Sequence, residues 1–407
     1  VGTYREILQV PVGRGAPPGP AEVGVGSAAT SITPPGPGAL AITAIGLSTS
    51  LGAEPAAFAA AVRAGITRPA PLPDVEVVDL DEHVTEAATG YPVDVAEGYT
   101  GVGRLALLAT SAIARVAPAL RKGARTGLYL CLPRFEILDS AERAAIPPEE
   151  LPEGSLAADA RARAEARVVE AILEDGSLPF GPEHVQVFFE DAPGFVSALR
   201  EARARLQAGE QQAIICGVDS LVDGPIVEAL LHLGLLKTPE NATGTSPGEA
   251  AAWLVLERVE TARRAGVSPL AYVESSEMGG APPPEGRPPD GALLARVVAA
   301  SLDHATGGRD VGPLLVVADL DGTSDRARDW GGALVRTTAG VRNARVWSPA
   351  ESLGSIGAAF GPVAACLIAA AGARKALPAS RVLLWLSALN GARGAVVLLA
   401  ADAGVRR

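Results

Sequence analysis

Cysteine is scarce in this 407-residue chain: Cys131, Cys216 and Cys366 are the whole set. Their spacings are unrelated, which excludes a disulfide framework and points to a reducing, cytoplasmic setting. Histidine is almost as rare, with His83, His184, His232 and His304. None pairs with a cysteine at a metal-ligand spacing, so no metal and no cofactor is expected. An excess of positive charge is also missing. The 35 Lys and Arg residues against 46 Asp and Glu leave a net charge of −11, which argues against nucleic acid or an anionic membrane surface as partner. No Walker-type phosphate loop occurs, and Gly24-Val25-Gly26 precedes no strand–helix unit, so nucleotide binding has no support. The amino-terminal residues lack an apolar stretch after a basic one, and no leader is expected. Residues 356–373 are uncharged, but they are short and rich in alanine for a membrane span. They read instead as a helix buried on all sides.

Beyond residue 39 the chain is an alternation. Short apolar runs rich in β-branched residues fall at 41–46, 126–132, 185–189, 213–216, 251–256, 271–275, 314–319, 344–347, 382–387 and 395–400. Between them, helical periodicity covers 53–64, 103–117, 157–173, 195–208, 224–233, 293–304, 325–337 and 357–375. Strands alternating with helices imply parallel or mixed sheets covered by helices. Residues 1–39, dense in Pro and Gly, form an extension without periodicity, and such a stretch buries too little apolar surface to offset its ordering entropy. A second Pro/Gly-rich break at 279–289 divides the rest, giving halves of 40–262 and 263–407. In each half a small-residue helix (195–208; 357–375) leads into an apolar strand (213–216; 382–387). The mixed-charge runs at 161–167 and 200–205 are solvated helix faces carrying ion pairs one turn apart.

Several segments, in order, carry a family likeness. Near the end, Ala350-Glu351-Ser352-Leu353-Gly354-Ser355-Ile356-Gly357-Ala358-Ala359-Phe360-Gly361 resembles the Lys-Ser-x-x-Gly-His-x-x-x-Ala-x-Gly signature of β-ketoacyl synthases. Residues 41–52, 58–65, 217–223 (Gly217-Val218-Asp219-Ser220 at its start), 235–237, 246–251 and 254–257 resemble further segments of that family. The resemblance implies an α/β, thiolase-like fold of two duplicated βαβαβ-type halves, layered α-β-α-β-α.

The same resemblance locates three positions where a condensing synthase holds its cysteine and two histidines. Here they carry Ala192, Asp321 (in Asp321-Gly322-Thr323-Ser324-Asp325) and Ser355. A methyl group supplies no thiolate, and neither Asp321 nor Ser355 can polarise a thioester carbonyl as an imidazole does. Cys131 and Cys216 sit in apolar strands and Cys366 in an Ala/Gly-rich helix, so all three read as inert small hydrophobes. The implied role is a catalytically inactive partner subunit, scaffold or adaptor, comparable to a chain-length factor. The alternative is an acyltransferase or condensing-type enzyme using a non-standard site.

The old pocket is expected to be lined by Asp191, Phe360, Ser387 and Asn390 around Ala192, Asp321 and Ser355. Asp191 and Asp321 offer a pair of carboxylates for acid–base work; as structural residues they would cap the following helix and loop. Phe189, Phe195, Phe360 and Leu389 would fill an acyl channel. The run Val185-Gln186-Val187-Phe188-Phe189 is apolar on both faces, and the resemblance implies that it pairs with a twin strand across a two-fold axis. Val185, Val187, Phe188 and Phe189 are thus the expected dimer interface. The expected partners are a second copy or a ketosynthase-like chain, together with an acyl carrier protein.

Overall fold

A computed structural model describes residues 35, 38–81, 83–145, 156–178, 181, 184–280 and 288–401. The amino-terminal extension up to residue 34 and the middle of the break at 279–289 lie outside these residues.

The first half contributes β1 (Leu40–Thr49), α1 (Pro55–Arg63), a hairpin of β2 (Ala70–Asp79) and β3 (Val84–Gly90), α2 (Gly101–Ser111) and β4 (Thr126–Leu132). It continues with α3 (Glu136–Ala145), α4 (Leu156–Glu174), β5 (His184–Phe189), α5 (Gly194–Gln207) and β6 (Gln212–Ser220). Then come α6 (Gly224–His232), β7 (Glu249–Arg258) and α7 (Val259–Arg264). The second half contributes β8 (Ala271–Gly279), α8 (Ala292–Thr306), β9 (Leu314–Val317), α9 (Ser324–Leu334), α10 (Ala339–Arg342) and β10 (Arg345–Trp347). It ends with α11 (Ala350–Leu353), α12 (Phe360–Ala373), β11 (Arg381–Ser387) and β12 (Arg393–Ala400).

Ten strands form one sheet in the order β10-β9-β11-β12-β8-β1-β7-β6-β4-β5. Its two arms repeat one plan. In the first, β4 lies parallel to β5 and β6, β6 is antiparallel to β7, and β7 is antiparallel to β1. In the second, β9 lies parallel to β10 and β11, β11 is antiparallel to β12, and β12 is antiparallel to β8. The arms join where Leu40, Ala41 and Ile42 of β1 pair with Val273, Tyr272 and Ala271 of β8. The duplication is thus visible in strand order and direction although the halves share little sequence.

Central strands covered on both faces need apolar side chains at every position. In β4 the whole of Thr126–Leu132 is buried. Alternation splits it, because successive side chains point to opposite faces. Leu128, Leu130 and Leu132 meet Leu105 and Leu108 of α2 and Val168 of α4 on the outside. Tyr129 and Cys131 face the inner core instead. That inner core holds α5 and α12, and α8 covers the outer face of the second arm. The layers therefore run α-β-α-β-α.

The innermost helix, α12, is buried from Phe360 to Gly372, as its uniform apolarity requires. Among the described residues no helix is long and apolar enough to cross a membrane. The two central helices touch where a side chain is missing: a Cβ on Gly361 would lie 2.6 Å from the Cβ of Phe195.

Several features depart from the sequence reading, among them the helices α3, α7, α10 and α11, where none was expected. The β2–β3 hairpin falls in a region with no strand expected, because Pro71 and Pro73 argue against a ladder. A two-stranded ribbon tolerates them through the register shift between Leu72 and Glu76. The helix expected at 103–117 ends at Ser111 and continues as two short 3-10 turns, the second containing Pro118.

Gly361→Val should therefore destabilise the fold by about 3 kcal/mol through overpacking. Gly331→Ala, on α9 where an added Cβ meets nothing within 4 Å, should be neutral or stabilising by up to about 1 kcal/mol. Urea denaturation of both variants checks the pair, and equal effects would contradict the account of the helix contact.

Candidate functional site

Ala192 precedes α5, where the resemblance places a nucleophile. It is 1% exposed and packed in the inner core. The turn before it is formed by Asp191, whose φ of 51° lies in the left-handed region, which Asp enters more readily than most residues. Asp191 does not cap α5: the residue at that position is Pro193, and no side chain caps it. Its Oδ1 accepts the Arg134 backbone N–H at 2.9 Å instead, tying the turn to the loop after β4.

Asp321 does act within its loop. Oδ1 accepts the Thr323 N–H at 3.1 Å and the Thr323 hydroxyl at 2.7 Å. Oδ2 forms an ion pair with Nε of Arg326 at 3.3 Å. Ser355 is held by its backbone: its N–H donates to the Ser246 carbonyl at 2.8 Å and its carbonyl accepts the Gly248 N–H at 2.9 Å. This close approach needs Gly248, since a Cβ there would lie 1.9 Å from the Leu353 carbonyl oxygen.

Asp191, Asp321 and Ser355 line one cleft, which encloses about 80 Å³. Asp219, Thr245 and Arg326 join them, and the wall is apolar, with Phe135, Ile137, Leu221, Ile226, Leu230 and Leu389 among its residues. Four sequence-expected residues do not line it. Ala192 and Phe360 are buried in the inner core. Ser387 is buried and donates its backbone N–H to Asp319 Oδ2 at 2.9 Å. Asn390 folds back on its own hairpin, accepting the Ala392 N–H at 3.0 Å.

The electrostatics centre on Arg326, which pairs with Asp319 and Asp321. Burial acts to lower its pKa, but the charges of Asp319, Asp321 and Asp191 outweigh burial and raise it. The carboxyls are displaced upward. Burial pushes Asp191 to about 6 against the Arg134 N–H. It pushes Asp319 to about 6 against Arg326. Asp219 rises to about 8, again through burial, although both its oxygens accept backbone N–H groups, from Ser220 and Ala358, at 2.8 Å. Cys131, Cys216 and Cys366 are all buried, and burial raises each thiol well above its ordinary range.

The architecture has solved counterparts. A type II polyketide ketosynthase, in complex with its acyl-carrier protein, aligns over 89% of this chain and 99% of its own, with a TM-score of 0.67 at 14% identity. This is the ketosynthase fold. A β-ketoacyl synthase from Burkholderia phymatum covers 89% and 99% of the two chains, with a TM-score of 0.65 at 17% identity. The ishigamide ketosynthase/chain length factor covers the same shares, with a TM-score of 0.61 at 19% identity. No protein-family model and no curated protein matches the sequence.

Within the ketosynthase fold, the sequence reading found the loops of the cleft but missed its charge balance. Arg326 lies five residues beyond Asp321, in a run of helical charges that looks like a solvated face. Asp319 closes an apolar strand and Asp219 closes another. Only the meeting of strand ends from both arms brings these groups together, so periodicity alone gave no signal.

Because Asp191, Asp219 and Asp319 bind protons more tightly folded than unfolded, the stability they contribute is complete below about pH 4. It is lost as pH rises through 6 for Asp191 and Asp319 and through 8 for Asp219. Urea midpoints should thus be higher at pH 5.5 than at pH 8.5. Asp219→Asn should flatten the decline above pH 7, and an unchanged slope in that variant would assign the titration elsewhere.

Proposed function

We propose that this protein is a non-catalytic partner subunit on the ketosynthase fold, comparable to a chain-length factor, that assembles with a second copy or a ketosynthase-like chain. The observation that carries this reading is Ala192. The position before α5 holds a methyl group, 1% exposed and inside the core, and no thiolate is available to take an acyl group there. The three cysteines are fully buried and their thiols are held in the protonated form. A chain length factor and a ketosynthase in complex with its acyl-carrier protein are among the structures with this fold, which supports a carrier-dependent assembly. The rival reading, an acyltransferase with a relocated site, draws support from Ser355, whose hydroxyl makes no hydrogen bond among the described residues and lines the cleft. No histidine is placed to activate it, since none of the four lines that cleft.

Incubation with radiolabelled acyl- and malonyl-thioesters should leave the protein unlabelled and the malonyl group intact, as read by intact mass and by release of carbon dioxide. Ala192→Cys alone should stay inactive, because the carbonyl-polarising groups are still missing at Asp321 and Ser355. A stoichiometric acyl adduct or turnover by the unaltered protein would favour the acyltransferase.

For assembly we favour β5. Among the described residues it ends the sheet order, beside β4, and a strand at a sheet edge invites another strand. Phe188 is 8% exposed and packed into the chain's own inner core, so it is not free to meet a partner as the sequence reading expected. Val185, Val187 and Phe189 are half-buried against the outer core. Light scattering at micromolar concentration should give a dimer, or a heterodimer when a ketosynthase-like partner is added. Val187→Asp should shift the protein to monomer, and association unaffected by that change would place the interface elsewhere.

A further inference from the structure

The cleft is built for a ligand of a different charge from a thioester. Arg326 is already matched by Asp319 and Asp321. Asp191 adds a further carboxylate, and its Oδ2 accepts no hydrogen bond among the described residues. Arg134 and Arg393 also lie near these carboxylates, but Glu136 and Asp329 engage them, so Asp191, Asp319 and Asp321 outnumber Arg326 and negative charge is in excess. Two hydroxyls on the lining add acceptor capacity. Thr245 is 4% exposed and its Oγ1 is buried without any hydrogen-bond partner among the described residues. Ser355 is 7% exposed, and its hydroxyl makes no hydrogen bond among the described residues. Leaving a buried hydroxyl without a partner is costly, and such groups are ordinarily satisfied. Both belong to residues that line the same cleft as Asp191. Among the described residues, no group of His, Cys, Asp and Glu is arranged to hold a metal ion, so the carboxylates are not a cation cage. Around them the wall is aliphatic and aromatic.

We propose that this cleft binds the ammonium end of a short aliphatic amine, the charge facing Asp191 and the N–H groups reaching the hydroxyls of Thr245 and Ser355. Three N–H donors on a cation match free acceptors, whereas a carboxylate or thioester oxygen would meet a surplus of negative charge. A volume of about 80 Å³ accommodates the head group and its first carbons. The alkyl tail then runs along Leu230, Ile226 and Leu389. This inference does not rest on the partner-subunit reading, since a subunit and an enzyme can each hold such a ligand.

Calorimetric titration of the full chain with hexylammonium, hexanol and hexanoate at pH 7.5 tests it. Hexylammonium should bind saturably at one site per chain, at least tenfold more tightly than hexanol, with hexanoate not binding. Asp191→Asn should weaken hexylammonium at least tenfold while leaving hexanol unchanged. Should Asp191→Asn fail to fold, Thr245→Val serves, and it should weaken hexylammonium severalfold without lowering the melting temperature. Hexanoate or hexanol binding as tightly as hexylammonium would overturn the proposal. So would hexylammonium binding that both folded variants leave intact, or an absence of saturable binding.

Discussion

Everything in the centre of this molecule depends on how closely α5 and α12 approach each other. Gly361 leaves room for Phe195, and a Cβ on Gly217 would already lie 2.6 Å from Pro362 Cγ. The close contact lets the two arms of one sheet enclose a single helical layer with no gap. It also fixes the two turns that lead into these helices. Asp191 and Ala192 precede α5, and Ser355 lies shortly before α12, so the packing of the layer decides where those residues stand. A protein interior is close-packed and transmits such constraints rigidly.

The cleft near those turns is lined by carboxylates and hydroxyls among aliphatic and aromatic side chains. Carbonyl attack develops negative charge on oxygen and is helped by donors aimed at that oxygen. Here Asp191 Oδ2, an acceptor, and the hydroxyls of Thr245 and Ser355, which can donate or accept, are unengaged among the described residues. The lining arginine, Arg326, is occupied by Asp319 and Asp321. Burial of these charges is tolerated because they are paired and hydrogen-bonded, and a partner removed from such a set would leave an uncompensated charge. Scaffold and site are thus tied together, since the residues that shape the cleft also satisfy strand ends from both arms.

Much of the architecture was legible in the residues. The runs at 126–132 and 382–387 became β4 and β11 with little change of bounds, and the glycine- and alanine-rich stretch near the end became the fully buried α12. Those segments are almost wholly apolar, and the one proline among them, Pro362, falls in the first turn of α12, which leaves few alternatives. The hairpin of β2 and β3 was not legible, because Pro71 and Pro73 read as breakers and a bulge absorbs them. Asp191, Asp321 and Ser355 were placed in one pocket from sequence, and they share one cleft. Phe360, Ser387 and Asn390 were placed there too, but they turn into the core or back on their own turns, and side-chain direction is not written in spacing.

By itself the sequence determined the composition of the layers and the side chains that each strand and helix could bury. Periodicity and side-chain chemistry are local properties. The tertiary structure alone decided that Arg326 is spent on Asp319 and Asp321, that Phe188 belongs to the chain's own core, and that β5 is left as an edge. It also decided that Thr245 lines the same cleft as Asp191, with no partner for its hydroxyl among the described residues. Each of these depends on elements distant in the chain meeting at strand ends, and only the folded packing sets those distances.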